Sequence, residues 1–339
     1  MSGTSGRFAL GPFPLACGHT IAEAQLSYCT FGELNAERSN AVLYPTSYGA
    51  HHGDIAWAVG PVLDPQRHFI VIVDMWGNGL SSSPSHGAMG LAESGWVVSH
   101  GDNVRAQRRL LWEQFGIERL ALIYGWSMGG QQGYQWAVDV PEAVERLCVV
   151  CGTARTAIHN RLFLHSLRQA LTADRHWTGT GFEAEPIEGL RTFALIYASW
   201  AASQRFYGEG HHLTAGPMAV EDYVETQWLP AYRRHDPRDL IAMIDTWMAH
   251  DVSAGAPHHG DLAAALGSIR ARTSVLAGRH DLYFTVDDMA ADAARIPGAH
   301  FEVIESVLGH RAGNPRNSPV EQTQLRSAVD RLWRGPGLV

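Results

Sequence analysis

Residues 120–124 form a short β-favouring run, Leu-Ala-Leu-Ile-Tyr, that breaks directly into Gly125-Trp126-Ser127-Met128-Gly129-Gly130, and residues 131–138 then read as a helix until Pro141. No other stretch constrains the fold as tightly. A serine held on a sharp strand-to-helix turn needs glycine on either side, because only a residue without Cβ lets the backbone pass that closely. The letters Gly-x-Ser-x-Gly alone carry little weight in a chain with 35 glycines. Their setting between a strand and a helix carries the argument.

The surrounding sequence predicts the sheet that such a turn requires. From about residue 40 to 155, β-rich runs at 41–45, 68–74, 120–124 and 147–151 alternate with longer amphipathic stretches, the pattern of a parallel sheet covered by helices. The stretch 102–115, for example, places Val104, Leu110, Leu111 and Phe115 on one helical face. Beyond Arg155 the pattern changes. Residues 156–267 are rich in Trp, Tyr, His and Met and hold helix-like segments at 162–172, 190–203, 220–229 and 240–250. Strand character returns at 273–277 and 300–305, and 319–333 closes the chain as a helix. The expected organisation is a core of residues 1–155 and 268–339 with a helical cap of residues 156–267 inserted into it.

With 339 residues, 45% apolar and 18% charged, the chain has the balance of an ordinary globular protein. A net charge of −8 with no basic block provides no footprint for nucleic acid or an anionic membrane surface. No apolar run approaches the roughly 18 residues that span a bilayer, and the first 16 residues lack a signal-type segment. Together with four scattered cysteines, this leads us to expect a cytoplasmic protein. Cys148 and Cys151 have redox or zinc spacing, but in a strand-like run residues three apart face opposite ways, so both read as small buried residues. The doublets His51-His52, His211-His212 and His258-His259 lack the spacing of a metal site, and no metal is expected.

Ser127 needs a base, and the base needs a partner that fixes its tautomer. On an α/β-hydrolase fold these follow in the order Ser, acid, His. Asp281 sits in the loop after the strand-like run 273–277, ahead of its rivals Asp251, Asp287 and Asp288. His310 lies in a glycine-flanked loop after the last run; His300 is at the wrong end of that run and His280 is too close to Asp281 in sequence. The N–H of Met128, first in its helix, is the natural oxyanion donor. A second should come from Ser47 or Tyr48, in the loop after residues 41–45.

These residues resemble the homoserine O-acetyltransferase family of α/β-hydrolase proteins. The likeness runs from Tyr28-Cys-Thr-Phe-Gly-Glu-Leu-Asn35 through Gly125-Trp-Ser-Met-Gly-Gly-Gln-Gln132 to the C-terminal histidine loop, with Asp102-Asn-Val-Arg-Ala-Gln107 and Asp281-Leu-Tyr-Phe284 also similar. It implies Ser127, Asp281 and His310 as a triad, a helical cap and a homodimer built through cap helices. The family also uses a cap arginine for the homoserine carboxylate and an aspartate directly after the histidine for its amine. Here Ala194 stands where that arginine is expected, with Arg191 the nearby cation that could take its role, and Arg311 replaces the aspartate. A cation there repels an ammonium group.

The expectation is therefore an acyl-enzyme on Ser127 that is hydrolysed, with Trp126, Tyr197, Trp228 and Arg311 as candidate substrate contacts. Its partner would be a small-molecule ester or acyl donor. No cofactor is expected unless the acyl group passes from acetyl-CoA to a small alcohol, the second reading. A third is a binding protein that keeps the fold without catalysis.

Overall fold

The computed structural model describes residues 3–213, 216 and 218–334. Eight strands form one sheet: β1 (Thr4–Pro14), β2 (Thr20–Phe31), β3 (Ala41–Pro45), β4 (Phe69–Val73), β5 (Leu122–Trp126), β6 (Arg146–Val150), β7 (Arg272–Gly278) and β8 (His300–Ile304). Their spatial order is β1-β2-β4-β3-β5-β6-β7-β8. From β4 to β8 every neighbouring pair is parallel, while β1 with β2 and β2 with β4 are antiparallel. The chain is an α/β-hydrolase fold, a mostly parallel sheet flanked by helices.

The inner strands are apolar throughout because both faces are covered. Along β3, β4, β5 and β6, alternate residues feed two separate cores. Leu43, Val71, Ile123 and Val149 pack on one side with the helices His100–Phe115 and Met128–Asp139. Tyr44, Ile72, Tyr124 and Cys148 pack on the other with Leu325, Ala328 and Leu332 of the helix Pro319–Trp333.

Three features differ from the sequence expectation. The β1–β2 hairpin was not expected: β1 reads Thr-Ser-Gly-Arg-Phe-Ala-Leu-Gly-Pro-Phe-Pro, with glycines and prolines that weaken an interior strand but suit an edge, and its register shifts around Gly11. The 220–229 segment is a longer helical run, Val220–Tyr223 and Leu229–Arg233 joined by a π-helical turn at Val224–Trp228. Finally, β6 stops at Val150. Cys151 takes a left-handed backbone (φ 48°), and Cys148 and Cys151 therefore belong to the same core rather than facing opposite ways.

Between β6 and β7 the described residues form several helices, with Ile158–Thr172, Ile187–Ala201 and Pro237–Met248 as the longest. Residues of these helices touch the loops after β3, β7 and β8: Tyr48 lies beside Phe193 and Tyr197, Tyr283 beside Tyr197, and Gly309 against Ala201.

Candidate active site

β5 delivers Ser127 to its place. The serine has φ 57° and ψ −127°, a conformation that costs an L-residue on the order of 1–3 kcal/mol and persists only where its surroundings enforce it. Here they do. The Ser127 N–H donates to the Val150 carbonyl (2.9 Å), and the Ser127 carbonyl accepts from the Gln131 N–H (3.0 Å) to start the helix. A Cβ on Gly125 would meet the Gly129 carbonyl oxygen at 2.2 Å, and one on Gly129 would meet the Pro45 carbonyl oxygen at 2.5 Å. The glycines of the motif therefore have a steric reason: strand, helix and the end of β3 meet with no room for a side chain.

The loop after β3 rests on this turn. The Ser47 hydroxyl donates to the Trp126 carbonyl, and the Ser47 carbonyl accepts from the Ala50 N–H (3.1 Å). The Tyr48 side chain leaves the turn altogether. Its hydroxyl donates to the Leu240 carbonyl (3.2 Å), and its ring stacks near Phe193 and Tyr197 of the inserted helices. Met128 is the first residue of its helix, so its N–H has no acceptor within that helix.

Asp281 follows β7 and His310 lies in the short turn Gly309–Gly313 after β8. They meet: His310 Nδ1 lies 2.7 Å from Asp281 Oδ2. The other carboxylate oxygen accepts from the backbone N–H groups of Tyr283 (2.8 Å) and Phe284 (3.1 Å). With Nδ1–H given to the carboxylate, Nε2 is left to accept a proton. The rivals lie elsewhere. Asp251 pairs with Arg155 at 2.7 Å, and the Asp288 carboxylate accepts from the Thr285 hydroxyl (2.8 Å) at the start of the helix Val286–Ala293.

Aromatic rings enclose the imidazole. Trp126, next to Ser127 in the chain, stacks on it at 5.1 Å and donates its indole N–H to the His310 carbonyl (3.3 Å). Tyr283 meets its edge at 4.7 Å and Phe284 lies at 5.6 Å. Trp126 is thus placed against His310, and Tyr197 joins Tyr48, Trp228 and Tyr283 in the aromatic cluster above. Ser127, Asp281 and His310 are 2%, 4% and 4% exposed.

The charges around this region are informative. Ala194 is fully buried, so the position expected for a carboxylate-binding arginine holds a methyl group. Arg191 does not replace it, because its guanidinium pairs with Glu188 (2.7 Å) and Glu225 (3.1 Å) on the exposed side of the helix. Arg311 turns outward, 5.9 Å from the rings of both Phe206 and Trp228.

Among the described residues, the group of three possible metal ligands within reach of one another is Cys151, Asp281 and His310, and none of the histidine doublets joins it. Cys151 is no part of the expected site, because its φ of 48° turns the side chain away from the direction that strand alternation implies. A groove of about 1720 Å³ lies at the opposite ends of the strands, lined by Leu120, Arg146 and Arg272, and contains none of the residues above. Among the described residues, no helix is long and apolar enough to cross a membrane.

A serine in a positive-φ strand-to-helix turn, whose neighbour Trp126 stacks on a histidine that is held by the carboxylate at the end of β7, is an arrangement suited to acyl chemistry. Over residues 40–312 the chain matches the alpha/beta hydrolase fold family, and it belongs to that family. Within it the chain is an esterase-like enzyme. It is 38% identical over 307 residues to the ethyl acetate hydrolase of Pseudomonas veronii, covering 89% of this chain and 87% of that protein. The solved structure of the acetyl esterase MekB has a TM-score of 0.91 and 34% identity, with 97% of each chain covered. The homoserine O-acetyltransferase of Thermobifida fusca is similar at 29% identity over 335 residues, 88% of this chain and 86% of that one.

Proposed function

We propose that the enzyme hydrolyses small carboxylic esters, acetyl esters foremost, through an acyl-enzyme on Ser127. Ser127 Oγ attacks the ester carbonyl carbon while His310 Nε2 takes its proton. Asp281 holds the imidazole in the Nδ1–H tautomer and stabilises the imidazolium as it forms. The oxyanion is met by the Met128 N–H and by a backbone N–H of the Ser47–Tyr48 segment. His310 then protonates the departing alkoxide, and a water molecule, deprotonated by the same imidazole, releases the carboxylic acid.

The observation that carries this reading is the 2.7 Å contact of His310 with Asp281 beside the strained turn that bears Ser127. Hydrolysis is favoured over transfer to homoserine by Ala194 and Arg311, since neither charge of an amino-acid acceptor finds a partner. The relatives named for ethyl acetate and acetyl ester hydrolysis point the same way. Residues 156–267 act in this proposal as the cap over the site. Their packed rings, with Tyr197 and Trp228 among them, favour a small neutral acyl group, and Arg311 borders the same side. Trp126 serves mainly to seat the imidazole.

The test compares p-nitrophenyl acetate hydrolysis by wild type and Ser127→Ala, alongside CoA release from acetyl-CoA with and without small alcohols. The proposal predicts steady hydrolysis that vanishes in the variant and no alcohol-dependent CoA release. Faster acetyl transfer to an alcohol than to water would overturn it.

We further propose a homodimer formed through the cap. Ile158, Leu162 and Leu195 project from two packed cap helices and are 87%, 66% and 51% exposed, an apolar patch that a partner would cover.

A further inference from the structure

We propose that Cys151 is a positioning residue whose thiol donates a hydrogen bond to the Asp281 carboxylate and so tunes the group that holds His310. This rests on the functional reading above and extends it. Cys151 Sγ, a carboxylate oxygen of Asp281 and a ring nitrogen of His310 all lie within 4.8 Å of one another, and all three residues are buried. The thiol reaches that place only because Cys151 takes φ 48°, a left-handed conformation rare for a residue with a Cβ. An extended residue 151 would have continued the alternation of β6 and faced the other core.

The surroundings fit a sulfur atom closely. A Cβ on Gly313 would sit 3.0 Å from Cys151 Sγ, and one on Gly278 would sit 3.5 Å away. Burial and the negative charge of Asp281 push the thiol pKa well above its ordinary value. The sulfur therefore keeps its proton, and its S–H is available to the carboxylate. Asp281 has room for it. Two backbone N–H groups and the imidazole N–H occupy three of roughly four acceptor positions on a carboxylate.

A donor at this position draws charge from the carboxylate and weakens its hold on the imidazolium. Removing it should strengthen that hold and move the acid limb of the pH–rate profile upward. A thiol is a weak donor, so the change is modest, on the order of half a pH unit and roughly three-fold in rate.

The experiment measures kcat/KM for p-nitrophenyl acetate against pH in wild type, Cys151→Ala, Cys151→Ser and Ser127→Ala, together with the downfield proton resonance of the imidazole Nδ1–H. Cys151→Ala should move the acid limb upward by about half a pH unit and shift the resonance. Cys151→Ser, which restores a donor of similar size, should return both to the wild-type position or slightly beyond it in the opposite direction. Should Cys151→Ala fail to fold, the serine variant decides alone: an acid limb that rises would overturn the proposal. An unchanged limb in a folded alanine variant, or equal displacement in both variants, would also overturn it. Loss of activity in Ser127→Ala with no effect at Cys151 refutes this inference alone, whereas retained activity in Ser127→Ala refutes the functional reading as well.

Discussion

Ser127 is a residue at which stability and activity oppose each other. Its φ of 57° and ψ of −127° suit glycine better than any side chain. Ser127→Gly should therefore unfold in urea with about 1 kcal/mol more stability than Ser127→Ala, with both variants inactive; equal stability would show that the turn is unstrained. Gly125→Ala should do the reverse, losing about 3 kcal/mol or failing to accumulate, because its methyl would meet the Gly129 carbonyl. These steric demands are legible in the sequence, since a strand that runs through glycines into a helix leaves few other geometries. The ends of β7 and β8, which carry Asp281 and His310, are legible for the same reason. Cys151 was not. Its role depends on one backbone angle that reverses the side-chain direction implied by alternation, and the Tyr283 and Phe284 N–H donors to Asp281 belong to no residue type at all.

At the level of elements, the turn carrying His310 is pressed against the end of the helix Ile187–Ala201. Gly309 has φ 62°, and a Cβ there would lie 2.8 Å from the Ser203 N and 2.9 Å from the Ala201 carbonyl oxygen. Ser203 completes the contact by donating its hydroxyl to the Val307 carbonyl. Gly309→Ala should push the turn off the helix end and displace the imidazole, lowering kcat/KM at least ten-fold while ester binding changes little. A variant with wild-type kinetics would show that the helix end does not hold the histidine. The parallel strands could be read from sequence because burial on both faces makes them continuous apolar runs. The β1–β2 hairpin could not, because an edge pair tolerates Gly, Pro and exposed polar residues that erase the strand signal.

For the whole molecule, buried imidazoles predict how stability depends on pH. Burial depresses His100 and His235 to about 4 and takes His250, which stands beside His100, well below its usual value. The unfolded chain binds protons at these groups near pH 6.5 while the folded chain does not, so their contribution is complete above 6.5 and is lost as pH falls toward 4. Asp239 and Asp292, raised by burial to about 6, oppose this in the same window, since there the folded state holds the extra protons. Because His250 is among the most strongly depressed of these groups, His250→Met should lose less Tm than wild type between pH 6.5 and 4.5; an unchanged slope would mean that His250 does not contribute. Light scattering tests the proposed dimer: Leu162→Glu should halve the mass, and an unaltered mass would place the interface elsewhere. The central claim is the covalent intermediate itself. Rapid acid quenching during turnover of p-nitrophenyl acetate, followed by mass spectrometry of the peptide around residue 127, should find an acetyl group on Ser127 in wild type and none in His310→Ala. Turnover by wild type with that serine unmodified, and the acetyl group trapped on another residue, would contradict the account.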